Sequence, residues 1–190
     1  GKAQKNITVN YYLGSKKAAS VKTNSKGIAA ATLMDGSYSI KLSGTSLKYD
    51  EKPAVVTVAK PSIEILLAKP MGTKKEKITC PVLEKSRAAY EVEEGATYVT
   101  LKPGERNYFL FTPTMAGTYE FSLPGSNATL GYYGAPHFVQ EHHAAEDIKD
   151  GKFAISVKTE MISTDVTGTT RMVLGIDAGE NESATIAIVR

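Results

Sequence analysis

The chain has 190 residues, of which 42% are hydrophobic and 23% charged, and a net charge of +3. This suits one large or two modest folded domains, and the apolar runs are too short to cross a bilayer as a helix. A lone cysteine, Cys80, excludes an intrachain disulfide, and with it the stapling common in small eukaryotic secreted modules.

The net charge conceals an asymmetry. Residues 1–75 hold 13 lysines and four acids, whereas residues 76–190 hold ten Lys/Arg and 16 Asp/Glu. Such a change of sign suggests two units. Lys69-Pro70-Met71-Gly72-Thr73-Lys74-Lys75-Glu76 has the proline, glycine and charge of a linker, so the expected domains are 1–70 and 77–190. The lysines of the first half are scattered with no run longer than two, and no arginine precedes Arg87. They read as a solvated basic surface, and nucleic acid is not expected as a partner because arginine is favoured for bidentate recognition of bases and phosphates.

In the first unit Ile7, Val9, Tyr11 and Leu13 alternate as one strand, and residues 14–27 read as a long loop or a weak edge strand. Ile28 to Leu33 reads as an alanine-rich strand, and Asp35-Gly36 as a hairpin turn into Tyr38, Ile40 and Leu42. Val56 and Val58, then Ile63, Ile65 and Leu67, give two more strands separated by Pro61. Two stacked sheets would bury these alternating faces. The first strand around Val9, Asp35-Gly36-Ser37-Tyr38-Ser39-Ile40 and the closing strand Ile63 to Leu67 resemble the prealbumin-like sandwiches of bacterial surface proteins, the collagen-adhesin B-type and carboxypeptidase-regulatory-like group. That resemblance implies a lysine–asparagine isopeptide bond in many members. Residues 62–69 contain no asparagine, so none is expected here.

The second unit repeats the grammar of Asp35 to Leu42 twice: a glycine, an aromatic, then apolar residues at every second position. The copies are Gly117-Thr118-Tyr119-Glu120-Phe121-Ser122-Leu123 and Gly151-Lys152-Phe153-Ala154-Ile155-Ser156-Val157. A period of two marks half-buried strands. Residues 81–94 allow a short helix around Leu83 to Tyr90 or an irregular crossover. Val99 and Leu101 precede the turn Lys102-Pro103-Gly104-Glu105, which leads into Asn107-Tyr108-Phe109-Leu110-Phe111, a strand dense enough in apolar residues to be buried on both faces. Leu130 to Tyr133, Met172 to Ile176 and Ile186 to Ile188 complete the set. The turn, the Tyr108 to Phe111 strand and the Gly117-Thr118-Tyr119 turn resemble the bacterial pre-peptidase C-terminal domain. This implies a jelly-roll-like accessory sandwich of secreted bacterial proteins, without catalysis. The family's aspartate-rich loop is replaced by Pro136-His137-Phe138-Val139-Gln140-Glu141-His142-His143, so its calcium site is not expected.

Two groups carry chemistry worth testing. His137, His142 and His143 lie beside Glu146, and imidazole with carboxylate can hold zinc; on a helix His142 and Glu146 would share a face. Read otherwise, this is an exposed polar loop. Tyr132, Tyr133 and Phe138 offer an aromatic ligand-binding surface, although adjacent tyrosines on a strand point to opposite faces. Cys80 has no local base, and no Gly-x-Ser-x-Gly elbow or phosphate loop occurs.

These readings predict an all-β chain of two β-sandwich domains in tandem, prealbumin-like and then jelly-roll-like. They predict a non-catalytic bacterial module, extracellular or at the cell surface, for adhesion, spacing or ligand presentation, with a lipid or wall anchor outside this chain. The alternative is a polysaccharide- or small-ligand-binding accessory module of a secreted enzyme. An extracellular protein or glycan is the expected partner, and no cofactor is expected.

Overall fold

Alternation dominates the chain, and strands result. The computed structural model describes residues 2–49, 55–57, 59–79, 83, 85–133, 146–148, 151–159, 162 and 171–190, with the backbone alone at 146–148. Among them are fifteen strands and no α-helix, so the protein is all-β. The chain divides into two compact units, 1–67 and 68–190.

In the first unit β1 (Thr8–Leu13), β2 (Lys16–Lys22), β3 (Tyr38–Ser43) and β4 (Val55–Val56) form one antiparallel sheet in the order β2-β1-β3-β4. Val9, Tyr11, Tyr38, Ile40 and Val56 point to one side and make its core. The weak edge-strand reading of residues 14–27 holds in β2. The expected strands at 28–33 and 63–67 do not form: these residues join no ladder, and Asp35-Gly36 is a bend into β3 rather than a hairpin. Ala29, Ala31, Leu33, Ile63 and Ile65 still lay their side chains on the core. The period of two therefore records which way side chains face, not whether the backbone has a partner. Tyrosines secure the covering segment: Tyr11 Oη donates to the Ala29 carbonyl at 3.3 Å, and Tyr38 Oη to that of Met34 at 2.9 Å. Burial pushes the Tyr11 phenol above its usual pKa. A single sheet covered by extended chain gives the prealbumin-like resemblance no support.

The second unit contains, in chain order, β5 (Lys69–Pro70), β6 (Lys75–Ile78), β7 (Arg87–Val92), β8 (Gly95–Thr100), β9 (Arg106–Phe111), β10 (Gly117–Ser122), β11 (Thr129–Tyr132), β12 (Glu146–Ile148), β13 (Lys152–Val157), β14 (Met172–Asp177) and β15 (Ser183–Val189). They form a five-stranded sheet, β13-β10-β15-β8-β5, and a six-stranded sheet, β12-β11-β14-β9-β7-β6. Both later copies of the glycine–aromatic grammar, β10 and β13, pair with each other, Phe121 opposite Phe153. The turn before β9 is fastened by Asn107, whose Oδ1 accepts from the Lys102 amide at 2.9 Å and whose Nδ2 donates to the Glu105 carbonyl at 3.0 Å.

Two expectations are corrected here. The segment 69–76, expected as a linker, contributes β5 and the start of β6. Pro70 is tolerated because β5 is an edge strand, parallel to β8, where a missing N–H disrupts no further ladder. Residues 87–90, part of the stretch allowed as a short helix or an irregular crossover, lie in β7, which pairs antiparallel to β6 and parallel to β9. Ala89 is buried on one face of this strand and Val92 on the other, which hides the alternation.

Between the two sheets lies the main core. Phe109, Phe111, Leu130, Met172, Leu174 and Ile176 from one sheet meet Val99, Tyr119, Phe121, Ile186 and Ile188 from the other. Phe121 sits at its centre, stacked on Phe153 at 4.6 Å and edge-on to Phe111 at 5.5 Å. Each such ring contributes roughly 1.5–3 kcal/mol of transfer free energy.

β5 runs parallel to β8, and β15 antiparallel to it, with Lys69 opposite Thr97 and Thr97 opposite Ile186. The start of β5 and the end of β15 therefore lie at the same end of the sheet, with only β8 between them.

Candidate functional site

The six-stranded sheet is apolar on both faces. Its outer face carries Ile78, Ala89, Leu110 and Val173, all buried, joined by Leu83, Tyr133 and the half-buried Tyr108. Leu110 faces outward while Phe109 and Phe111 face the main core, as the density of apolar residues in β9 predicts.

Tyr133 crosses this face over Gly175. A Cβ at Gly175 would collide with Tyr133 Cε2, so the glycine serves close approach. The Tyr108 and Tyr133 ring centroids are 6.0 Å apart. The Arg106 guanidinium lies 5.5 Å from the Tyr133 centroid, within cation–π range. Arg106 is also directly opposite Asp177 in the ladder, and its Nε donates to Oδ1 at 2.6 Å. That hydrogen bond, more than the charge alone, holds the Asp177 carboxyl below its usual range.

A second ionic cluster joins strands elsewhere on the sheet. Arg171, just before β14, donates to Glu76 on β6 and lies 3.9 Å from Glu91 on β7. Lys74 donates to Glu91 at 2.8 Å and lies 3.3 Å from Glu76. Arg171 thus ties β14 to two strands on the far side of β9. These hydrogen bonds, Glu91's first and then Glu76's, raise the Lys74 pKa. Chiefly through the Arg171 hydrogen bond, the Glu76 pKa falls from 4.5 to about 2.

The arginines favour the charged form of both carboxylates. A general acid or base works best with a pKa near the operating pH, and Glu76 and Asp177 are displaced downward from it. The consequence is for stability. A carboxyl whose folded pKa is depressed stabilises the fold above its unfolded value, and that contribution disappears as pH falls through the folded one. Glu76 is therefore expected to contribute fully above pH 4.5 and to lose its contribution towards pH 2. With its side chain 28% exposed, solvent screening leaves on the order of 1 kcal/mol. Urea titrations across this range check it: Glu76→Gln should flatten the acid loss while leaving the part due to Asp177. An unchanged pH slope would contradict the assignment.

Of the residues expected to bind ligands, Tyr132 and Tyr133 fall on opposite faces. Tyr132 tilts against Phe153 at 6.0 Å on the inner side, and Tyr133 is 5% exposed on the outer. They do not share a surface. Phe138, and the expected metal ligands His137, His142 and His143, lie outside the described residues, as does Cys80. Glu146 begins β12, where it pairs with Tyr132. Its spacing to His142 runs through residues outside those described. Sequence reading missed Arg106, Asp177, Glu76 and Arg171. Glu76 and Arg171 are 95 residues apart, and no local pattern announces them. Gly175, inside an otherwise apolar strand, was the available signal for close approach.

No family model matches the chain, and no curated protein does. Among solved structures, the chain is similar to the pre-peptidase C-terminal domain of collagenase from Bacillus anthracis. The similarity covers 52% of this chain and 90% of that one, with 12% identity and a TM-score of 0.33.

Proposed function

We propose that the protein is a non-catalytic module of a bacterial secreted or cell-surface protein, serving adhesion, spacing or ligand presentation. The observation supporting this most directly is the use made of its perturbed acids. Glu76 and Asp177 are both engaged by arginines across strands, where they brace a sheet. The succession of the Pro103-Gly104 turn, β9 and the Gly117 turn adds the resemblance to an accessory domain. No helix among the described residues is long and apolar enough to cross a membrane; a lipid or wall anchor outside this chain is part of the proposal.

Protease added to intact source cells tests the reading. The protein is expected to be digested from outside, or found in the medium, while a cytosolic marker stays whole. Confinement to the cytosolic fraction would end the proposal.

A further inference from the structure

The first unit's sheet has one face covered by its core segments and one face open. Among the described residues, the strands of this sheet carry lysines and no acid. β1, β2, β3 and β4 contain Lys16, Lys17, Lys22 and Lys41 and no Asp or Glu. Every ion pair among the described residues lies in the second unit. Lys17, Lys22 and Lys41 are exposed, and no carboxylate of the described residues neutralises them.

The arrangement is organised around Tyr12. Its ring has the Lys41 ammonium at 5.7 Å and that of Lys17 at 6.0 Å. Lys17 reaches this position through a bulge. Tyr11 is opposite Ala19, but Tyr12 is opposite Lys17, so Ala18 is the extra residue. Without the bulge Ala18 would face Tyr12 and Lys17 would leave this row; re-aiming a side chain is a recurrent use of bulges. The next row is rigid. Asn10 is 7% exposed, accepts from Ser20 Oγ at 3.0 Å, and donates to Ser43 Oγ at 3.2 Å and to the Lys41 carbonyl at 3.3 Å. A polar row across three strands anchors Lys41 opposite Asn10, diagonal to Tyr12.

We propose that this face binds an acidic glycan, a polymer whose sugar rings carry carboxylate, phosphate or sulfate groups. The backbones of Lys17 and Lys41 lie two strand spacings apart, roughly 10 Å, with an aromatic ring between them. A polymer with repeating charge can meet lysines from both strands that flank β1, and a tyrosine ring offers an apolar face to a sugar. Lys22, opposite Thr8, extends the cationic surface along β2. The absence of arginine from residues 1–86 favours a glycan over nucleic acid, whose recognition draws on guanidinium forks. The extracytoplasmic location proposed above matters here only for access to such a polymer; binding by purified protein is independent of it.

The test uses the full chain with fluorescent hyaluronan, phosphorylated dextran and dextran sulfate, which separate carboxylate, phosphate and sulfate as the anion. Neutral dextran and single-stranded DNA serve as comparators. Saturable binding to at least one acidic glycan is expected, weakening as salt rises and absent for neutral dextran. The pair Lys17→Glu/Lys41→Glu should weaken it by about tenfold or more without moving thermal unfolding. Lys2→Glu/Lys26→Glu, an equal charge change off the strands, should weaken it by less than about threefold. Should the first pair destabilise the unit, Lys17→Gln/Lys41→Gln makes the same comparison. The proposal is overturned by no saturable binding to any of the three, by equal losses in both pairs, or by tighter binding to the DNA.

Discussion

Phe121→Ala is expected to cost the second unit about 3–5 kcal/mol, in the range found when a buried aromatic ring is truncated. Phe121 is 0% exposed, and its ring lies against Phe153 at an interplanar angle of 10° and against Phe111 at 82°. The first contact lies within the five-stranded sheet and the second crosses to the other sheet. Removing the ring therefore leaves a void that neither sheet can close alone. A loss of this size is a large share of the roughly 5–15 kcal/mol by which domains are stable. Calorimetry of the whole chain provides the measurement. One transition should fall steeply, and the transition of the first unit should stay where it was. A loss below about 1 kcal/mol would contradict the packing described, and an equal shift of both transitions would contradict the division into two compact units.

Gly175→Ala should destabilise as well, by about 1–3 kcal/mol, as overpacking does. Ordinarily the change would stabilise by about 0.4–1 kcal/mol, through lost freedom of the unfolded chain. Gly175 does not have a positive φ, so nothing in its backbone opposes alanine. The obstacle is the Tyr133 ring, whose Cζ and Oη would each lie 3.2 Å from the added carbon, with Cε2 closer still. Flanked by Tyr108 and Arg106, that ring has little room to retreat. The sign should therefore reverse when Tyr133 is removed: in a Tyr133→Ala background, Gly175→Ala should be neutral or slightly stabilising. A double-mutant cycle measures this coupling directly. The same cost in both backgrounds would show that the ring is not what the glycine makes room for.

Strands with a strong aromatic anchor were legible in the sequence. Tyr38, Tyr119 and Phe153 each begin a run whose alternate residues face a core, and β3, β10 and β13 follow. β6 and β12 were not legible, and β2 only weakly so, because such short or polar strands owe their ladders to partners elsewhere in the chain. Residues 28–33 show the opposite case: alternation without a ladder. The site was harder still. Adjacent tyrosines on a strand are expected on opposite faces. On β1 Tyr11 joins the core and Tyr12 the open face, but Tyr132 and Tyr133 are each packed against apolar side chains, because the six-stranded sheet is covered on both sides. The lysines looked scattered along the chain. Strand pairing and one inserted alanine gather Lys17 and Lys41 around a single ring, and neither effect can be read from spacing.

The path of the chain through the five-stranded sheet bears on how the second unit would respond to tension. A pull through Ala68 and Arg190 would act on two strand ends that leave the sheet on the same side. Hydrogen bonds would then break in succession, as when a zip is drawn, instead of resisting together in shear. The first to open is the two-residue ladder of β5 on β8, extended only by the Met71 amide bond to the Tyr98 carbonyl. Stretched in line, this unit is expected to be mechanically soft.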